Sequence, residues 1–478
     1  MKKHSRIICL ILAGLLTFSA VSCGKNDENK KNIGENSVNT AEDGFPLPKD
    51  LRFDGETFDL YIGIASAKQS FIAPEETGHH ITDAVYARNK LVEERLGVEL
   101  NFVSTTRTTS GDDQALESAH IRTLIQGGDD TYDAFVHVQH GAMPTLIEEG
   151  LFVDWNELKY VNTDNPWWYS NVKRDISFGN KIYCMTGDYN FKVLAGTACM
   201  AFNKTLCDEL GLEYPYQAVF DGTWTHDMFL DYIKKSTKDL NGDGVISKEN
   251  DRMGYMGWQP EIYGDLYCGY GGNAIGKDDG NLPVLTIDSE RMFTVIDKMI
   301  EVFDLDGAAV ESTTYGYDDN MFAEGRLLFN DSFLSHLPEM RGYENVDVGF
   351  VPYPKLDKDQ TEYYSRTATT AGMTYIPVTN KNLDMTSAVL ETMAYYSGET
   401  ILDTYFDIIL TIKSTRDTES EQMIPIIRDS ARFMEQIIGF TGGNIVMKNQ
   451  GNTLSSFVAG NRDLWEVKLE KLREFYSE

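Results

Sequence analysis

Positive charge is what this sequence has least of. Its 478 residues carry 43 Lys and Arg against 74 Asp and Glu, a formal net charge of -31. Most of the surface therefore repels polyanions, which excludes a nucleic-acid partner and an electrostatic docking face for anionic lipid. Cysteine is sparse, with six in all. Cys9 and Cys23 lie near the N-terminus. For Cys184, Cys199, Cys207 and Cys268 the expectation is free buried thiols, because a body this large has no need of staples, although three pairings stay open. Catalytic signatures are missing too: there is no phosphate-binding loop, no Gly-x-Ser-x-Gly elbow and no His-Glu-x-x-His. His137 and His140 share a segment, but two isolated imidazoles more often hydrogen-bond than bind metal. With 74 acids a glycosidase pair can always be imagined, so acid abundance supports no enzyme.

What is present is a large apolar fraction, 42% of residues, enough for two or three domains with proper cores and too much for a disordered chain. Aromatic residues make up 12%, and such faces pack against the apolar sides of ligand rings. At the N-terminus Lys2, Lys3 and Arg6 precede the apolar stretch Ile7 to Val21, which is too short and wrongly flanked for a membrane span. It ends in Ala20-Val21-Ser22-Cys23. This resembles a bacterial lipoprotein signal, cut before a lipidated Cys23, with plain secretory cleavage as the alternative. Residues 1–22 are thus read as a signal peptide. Residues 23–46, polar and Asn-rich, are read as a flexible tether that cannot offset the entropy of ordering.

Beyond the tether, strands at 57–64, 98–103 and 132–138 alternate with helices at 81–96, 113–127 and 143–149. That alternation predicts βαβ units and a parallel sheet, which binds ligands outside the carboxyl ends of its strands. Short β-like runs at 181–184 and 195–202 look like connecting strands. Helices are expected at 204–210, 226–237, 289–303 and 384–397, strands at 327–331, 347–353 and 375–378, and a closing helical stripe at 464–476. Ahead of the helix at 226, Thr225 reads as its N-cap and Trp224 as its hydrophobic staple.

Asp239-Leu-Asn241-Gly-Asp243-Gly244-Val245-Ile-Ser247 matches the first nine positions of an EF-hand loop, with oxygens at positions 1, 3 and 5, glycine at 6, the Val245 carbonyl at 7 and a hydroxyl at 9. Asn250 replaces the closing glutamate, and Asp251 one place later is the candidate to complete the shell. The expectation is a structural Ca2+, with an Asx-rich surface turn as the alternative.

Several segments line up with one family. They are Tyr132-Asp133-Ala134-Phe135 leading to Glu148-Glu149-Gly150-Leu151-Phe152-Val153-Asp154; Pro166-Trp167-Trp168; Thr186-Gly187-Asp188; Phe202-Asn203-Lys204; Gly222-Thr223-Trp224-Thr225-His226-Asp227; Glu324-Gly325-Arg326 with Phe329-Asn330-Asp331; and Pro352-Tyr353-Pro354-Lys355. Their order and spacing resemble the extracellular solute-binding proteins, family 1, that feed sugar ABC transporters. The resemblance implies an α/β, two-lobed periplasmic-binding-protein-like fold of type II. Its hinge strands would cross near 186–202, 322–328 and 356–375, giving lobe 1 as 47–190 and 323–355 and lobe 2 as 191–322 and 356–478. It also implies a monomeric, lipid-anchored protein on the outer face of the cell membrane. That protein captures a carbohydrate, expected to be a neutral oligosaccharide, and delivers it to ABC permease subunits.

Candidate ligand contacts are Gln139 and His140 in the loop after the third strand, Asp331 and Phe333 in the loop after the Phe329 strand, Asp188 and Tyr189 at the first crossing near the hinge, and Trp258 after the calcium-like loop. For Trp155, Trp167, Trp168 and Trp224 core or lobe-surface packing is the preferred reading. Rival readings are a peptide or polyamine carrier, a secreted glycoside-acting enzyme and a surface glycan adhesin. The anchor has a direct check: the wild type should fractionate with membranes, since two acyl chains hold where one holds marginally, and Cys23→Ala should release the protein or block its processing. A variant processed and fractionated like wild type would refute the lipoprotein signal.

Overall fold

The computed structural model describes residues 44–258, 261–311, 319–340, 342–368, 370–411, 418–433 and 454–477. The signal peptide, Cys23 and all of the tether before Gly44 lie outside the described residues. Nine strands build two sheets: β1 (Thr57–Ile62), β2 (Glu99–Ser104), β3 (Ala134–His137), β4 (Ala198–Asn203), β5 (Met253–Trp258), β6 (Ala308–Glu311), β7 (Leu327–Phe333), β8 (Val348–Val351) and β9 (Met373–Tyr375). The first sheet has the order β9-β3-β1-β2, and the second the order β8-β4-β7-β5-β6.

In the first lobe β1 runs parallel to β2 and β3, joined by helices α1 (His80–Leu96) and α2 (Gly111–Gln126). Local chemistry sets their ends. Gly97 takes a left-handed conformation (φ 65°) that stops α1, and Ser110 caps α2 by accepting from the Asp113 N–H. Every residue of β3 is buried, as expected of a strand covered on both faces. Phe45 and Leu47 are buried in this core as well, and the Arg95 guanidinium lies 4.1 Å over the Phe45 ring. Order therefore begins before the assigned tether end at 46, because Phe45 packs between Tyr395 and Tyr396.

The second lobe mixes directions: β5 is parallel to β6 and β7, while β4 is antiparallel to β7 and β8. The assignment of 323–355 to the first lobe is thereby corrected. Leu327-Leu328-Phe329 is a fully buried run that can be satisfied only between β4 and β5, and its residues belong to the second core. Conversely, β9 pairs with β3, and both the helix Leu383–Ser397 and the C-terminal helix Leu454–Ser477 contribute to the first core, so these parts of 356–478 leave the second lobe. The expected crossing at 322–328 is not one, and residues 181–184 form a loop, not a strand.

Among the described residues the chain passes between the cores at the short helix α3 (Phe191–Ala195), through 356–372, through the π turn Gly398–Leu402 and at 431–433; in addition Ala274, Ile275 and Ile287 reach back into the first core, and Ala73, Ala84 and Val85 join the second. The four body cysteines are free and buried. Trp155, Trp168 and Trp224 are core residues, and Trp224 stacks edge-on against Phe229 as the expected staple. Thr225 occupies the N-cap position, but its side chain makes no cap hydrogen bond.

His137 closes β3 fully buried, its Nε2 within 3.0 Å of Ser118 Oγ and 3.2 Å of the Gln114 carbonyl. Burial lowers its pKa to about 4, below the unfolded value. The stabilisation is complete above about pH 6.5 and is lost as pH falls through 4. Wild type should lose about 2–3 kcal/mol over that range relative to His137→Gln. Urea midpoints at stepped pH provide the check, and parallel curves for the two proteins would exclude a buried neutral imidazole.

Candidate functional site

Both sheets present the carboxyl ends of parallel strands, where side chains can converge on a ligand. In the first lobe β1 runs into the turn Ala65–Ser70 and β3 into Gln139 and His140. In the second β5 ends at Trp258, β6 at Glu311, and β7 at Phe333 followed by the turn Leu334–His336. Helix α3 packs against both turns, so it marks the place where the rims approach. Strand register puts Trp258 two residues beyond the Met256–Asn330 pair, level with Ser332. The Trp258 backbone is thus at the rim, while its side chain lies outside the described residues.

Asp331 and Phe333 share one face of β7, being two residues apart. Phe333 is half-buried at the rim. Asp331 lies one pleat deeper, 2% exposed, where its Oδ1 accepts the hydroxyls of Tyr255 at 2.9 Å and Tyr353 at 2.7 Å. Burial, with the nearby charge of Asp265, pushes its carboxyl well above the usual carboxylate range. Asp265, on the helix Glu261–Gly269, is held at 2.7 Å by Arg366 Nε, and both side chains are nearly inaccessible. The Arg366 guanidinium lies 5.5 Å from the Phe333 ring centre, where it fixes that aromatic face. Buried polar atoms without a partner among the described residues cluster on the same segments: Asp331 Oδ2, Asn330 Nδ2, Ser365 Oγ and Thr367 Oγ1, with Gln139 Oε1 on the opposite rim. An unpaired buried polar group is costly, so such atoms mark where a ligand or water completes the bonding.

The crossing segments are tied beside this group. Ser365–Arg366 pairs in parallel with Ala431–Arg432, and Arg432 reaches Asp175 of the first lobe at 3.0 Å. Asp188 sits at the first crossing, but its Oδ1 is taken by Arg428 Nη2 at 2.7 Å and it is only 5% exposed. Burial raises its pKa to about 6 against the opposing pull of Arg428. The expected role as a free acceptor for ligand hydroxyls is replaced by a structural ion pair. Tyr189 is also corrected: it is fully buried in the first core between Phe71 and Trp168, with its hydroxyl donating to Thr374 Oγ1. Gln139 and His140 stay on the first rim, and burial lowers the His140 pKa, keeping the ring neutral. No hydrogen bond, ion pair or ring contact among the described residues joins them to Asp331 or Phe333.

The loop 239–251 lies away from this cluster, on the surface of the second lobe. Asp239 accepts the N–H groups of Gly242 and Gly244, Asn241 that of Asp243, and Asp243 that of Val245. Buried Asp251 accepts from the Leu240 and Ser247 N–H groups at 2.8 and 2.9 Å, which lowers its pKa. Among the described residues no three His, Cys, Asp or Glu side chains converge as a metal centre. Each carboxylate oxygen nevertheless keeps a lone pair beyond the N–H it accepts.

Sequence reasoning missed Asp265, Arg366 and Arg428, whose partners lie 101 residues away for the Asp265–Arg366 pair and 240 for Arg428 and Asp188. No local pattern announces such pairs.

A family model described as bacterial extracellular solute-binding protein matches residues 81–394. No curated protein matches the chain significantly. Among solved structures, UgpB from Mycobacterium tuberculosis in complex with glycerophosphocholine is 13% identical with a TM-score of 0.54, over 87% of this chain and 98% of that one. An ABC substrate-binding protein from Listeria monocytogenes in complex with cycloalternan is 16% identical with a TM-score of 0.51, over 87% and 100%. The GacH receptor of Streptomyces glaucescens, solved unliganded and with acarbose, is 13% identical with a TM-score of 0.51, again over 87% and 100%. These likenesses establish the two-lobed α/β fold.

Proposed function

We propose that this chain, which belongs to the bacterial extracellular solute-binding protein family, captures a carbohydrate between its lobes and delivers it to an ABC importer while anchored through Cys23. The observation that carries the reading is the pairing, on one strand and its neighbours, of a half-buried aromatic, Phe333, with uncharged or charge-cancelled polar atoms that have no partner among the described residues. A sugar offers the matching surface: an apolar ring face for Phe333 and hydroxyls that both donate and accept. Cycloalternan and acarbose in two of the structural neighbours support the same chemistry.

A cationic peptide or polyamine fits less well, because the acids at this place are already engaged, Asp265 by Arg366 and Asp331 by two tyrosines. A glycosidase would need accessible carboxylates flanking the ligand, and these two are 3% exposed or less. Capture is non-covalent: closure brings Gln139 and His140 of the first rim toward Phe333 of the second, and ligand binding favours the closed state by its differential affinity.

The loop 239–251 is proposed to bind Ca2+ through Asp239, Asn241, Asp243, the Val245 carbonyl, Ser247 and Asp251, tying down the surface of the second lobe without touching the ligand. A hard cation would draw on the lone pairs that the loop N–H groups leave free.

Two measurements check these readings. In thermal-shift and calorimetric screens of neutral and acidic mono- and oligosaccharides at least one should bind, and Phe333→Ala should weaken it by about 1–3 kcal/mol with unchanged unfolding of the free protein. Failure of every saccharide would favour another solute. For the cation, chelator should lower the melting temperature of wild type, calcium should restore it, and Asp243→Ala should abolish the response. A wild type indifferent to both would leave the loop an ordinary turn.

A further inference from the structure

Among the described residues Lys192 is a cation without a counter-ion, in a chain whose acids outnumber its bases 74 to 43. It lies on α3, the helix that packs against the turn after β1 in one lobe and the turn after β7 in the other. The side chain is half-buried, with Nζ 5.1 Å from the Phe191 ring centre. Among the described residues no hydrogen bond or ion pair reaches that Nζ, and burial lowers its pKa with no carboxylate opposing the shift. Three other lysines lowered by burial are different: Lys277 has Asp175 beside it, Lys355 has Asp357 and Lys468 has Glu148.

A partly desolvated ammonium with no partner is unfavourable, and so acidic a sequence has many carboxylates with which to relieve it. Departures of this kind from local good practice concentrate at functional sites. The position adds to the argument, since α3 is bracketed by both rims. The His140 and His336 rings on those rims are kept neutral by burial and do not duplicate the charge. The negative field of the surface is no obstacle to a small anion, because it is screened within about 8 Å at physiological salt.

We propose that Lys192 receives an anionic substituent of the captured saccharide, a carboxylate or a phosphate, so that the preferred cargo is an acidic sugar. This rests on the carbohydrate reading and narrows it, replacing the neutral oligosaccharide of the sequence analysis. In the closed state the ammonium and the anion form a charge-assisted hydrogen bond shielded from water, which is where such bonds are strongest.

The test uses matched probes on the full mature chain at low salt: trigalacturonate against its fully methyl-esterified form, and glucose 6-phosphate against glucose. Calorimetry on wild type should show one acidic probe binding at least ~10-fold tighter than its uncharged counterpart, and which probe does so separates carboxylate from phosphate. Lys192→Met should erase that preference while leaving the uncharged counterpart within about twofold, and Lys192→Arg should keep it. The melting temperature of unliganded Lys192→Met should equal or exceed that of wild type, since an unpaired desolvated charge has been removed. Uncharged probes binding as well as acidic ones would overturn the proposal and leave the carbohydrate reading standing. A Lys192→Met variant that loses both members of a pair equally, or melts lower without ligand, would make Lys192 a packing residue. If no saccharide of either kind binds, both readings fall.

Discussion

Two arginines on adjacent two-residue strands hold the hinge region together. Arg366 closes on Asp265 of the second lobe at 2.7 Å and Arg432 on Asp175 of the first at 3.0 Å, while their backbones pair in parallel. Each guanidinium is nearly buried, and Asp175 is held further by Arg174 at 2.7 Å and by the Phe433 N–H at 2.9 Å, so the clamp on the first lobe is a small network and not a single pair. Because Ser365–Arg366 and Ala431–Arg432 belong to different crossings, neither segment can shift without carrying the other. The rim residue Phe333 inherits its position from this clamp through the Arg366 guanidinium against its ring.

Around that clamp the site divides into a working surface and a foundation. Phe333, Gln139 and His140 lie on the rims, and Lys192 on the helix α3 that packs against both turns. Asp331, Tyr255 and Tyr353 lie beneath, a hydrogen-bonded group with no exposure to speak of. Farther along the first lobe, Glu391 accepts the indole N–H groups of Trp167 and Trp168 and the amide of Asn165. This fixes the segment whose Pro166 carbonyl meets Arg428, the partner of Asp188. The acids that looked from the sequence like ligand acceptors are thus largely internal supports. In the proposed reading the groups left for the ligand are aromatic, amide, hydroxyl and ammonium.

Legibility in the sequence followed the range of the interactions. Helix α1 was expected at 81–96 and runs from His80 to Leu96, because Gly97 ends it locally. The βαβ alternation of the first lobe was equally plain. Strand β5, Met-Gly-Tyr-Met-Gly-Trp, carries no pattern of a strand; Gly254 is there because a side chain would collide with the Ile233 backbone of the helix His226–Ser236. Lobe membership of 323–355 and of the C-terminal third was misread, since pairing of β7 with β4 and of β9 with β3 is decided by register between distant segments. Asp331 and Phe333 were expected in a loop after the strand, but the strand runs on through Phe333 because β4 pairs with it as far as Ala198. Tyr189 was placed wrongly by adjacency to Asp188: one residue farther along the chain, its side chain enters the first core.

The four buried thiols bear on life outside the cytoplasm. Cys184, Cys207 and Cys268 have their pKa values pushed up to about 12 by burial, and Cys199 is likewise raised by burial and by the charges of Asp265 and Asp331. Thiolate is the reactive form, so at neutral pH these sulfurs are chemically silent toward oxidants and toward one another. Among the described residues no sulfur of a cysteine is left in solvent for an ambient oxidant or a second thiol to reach.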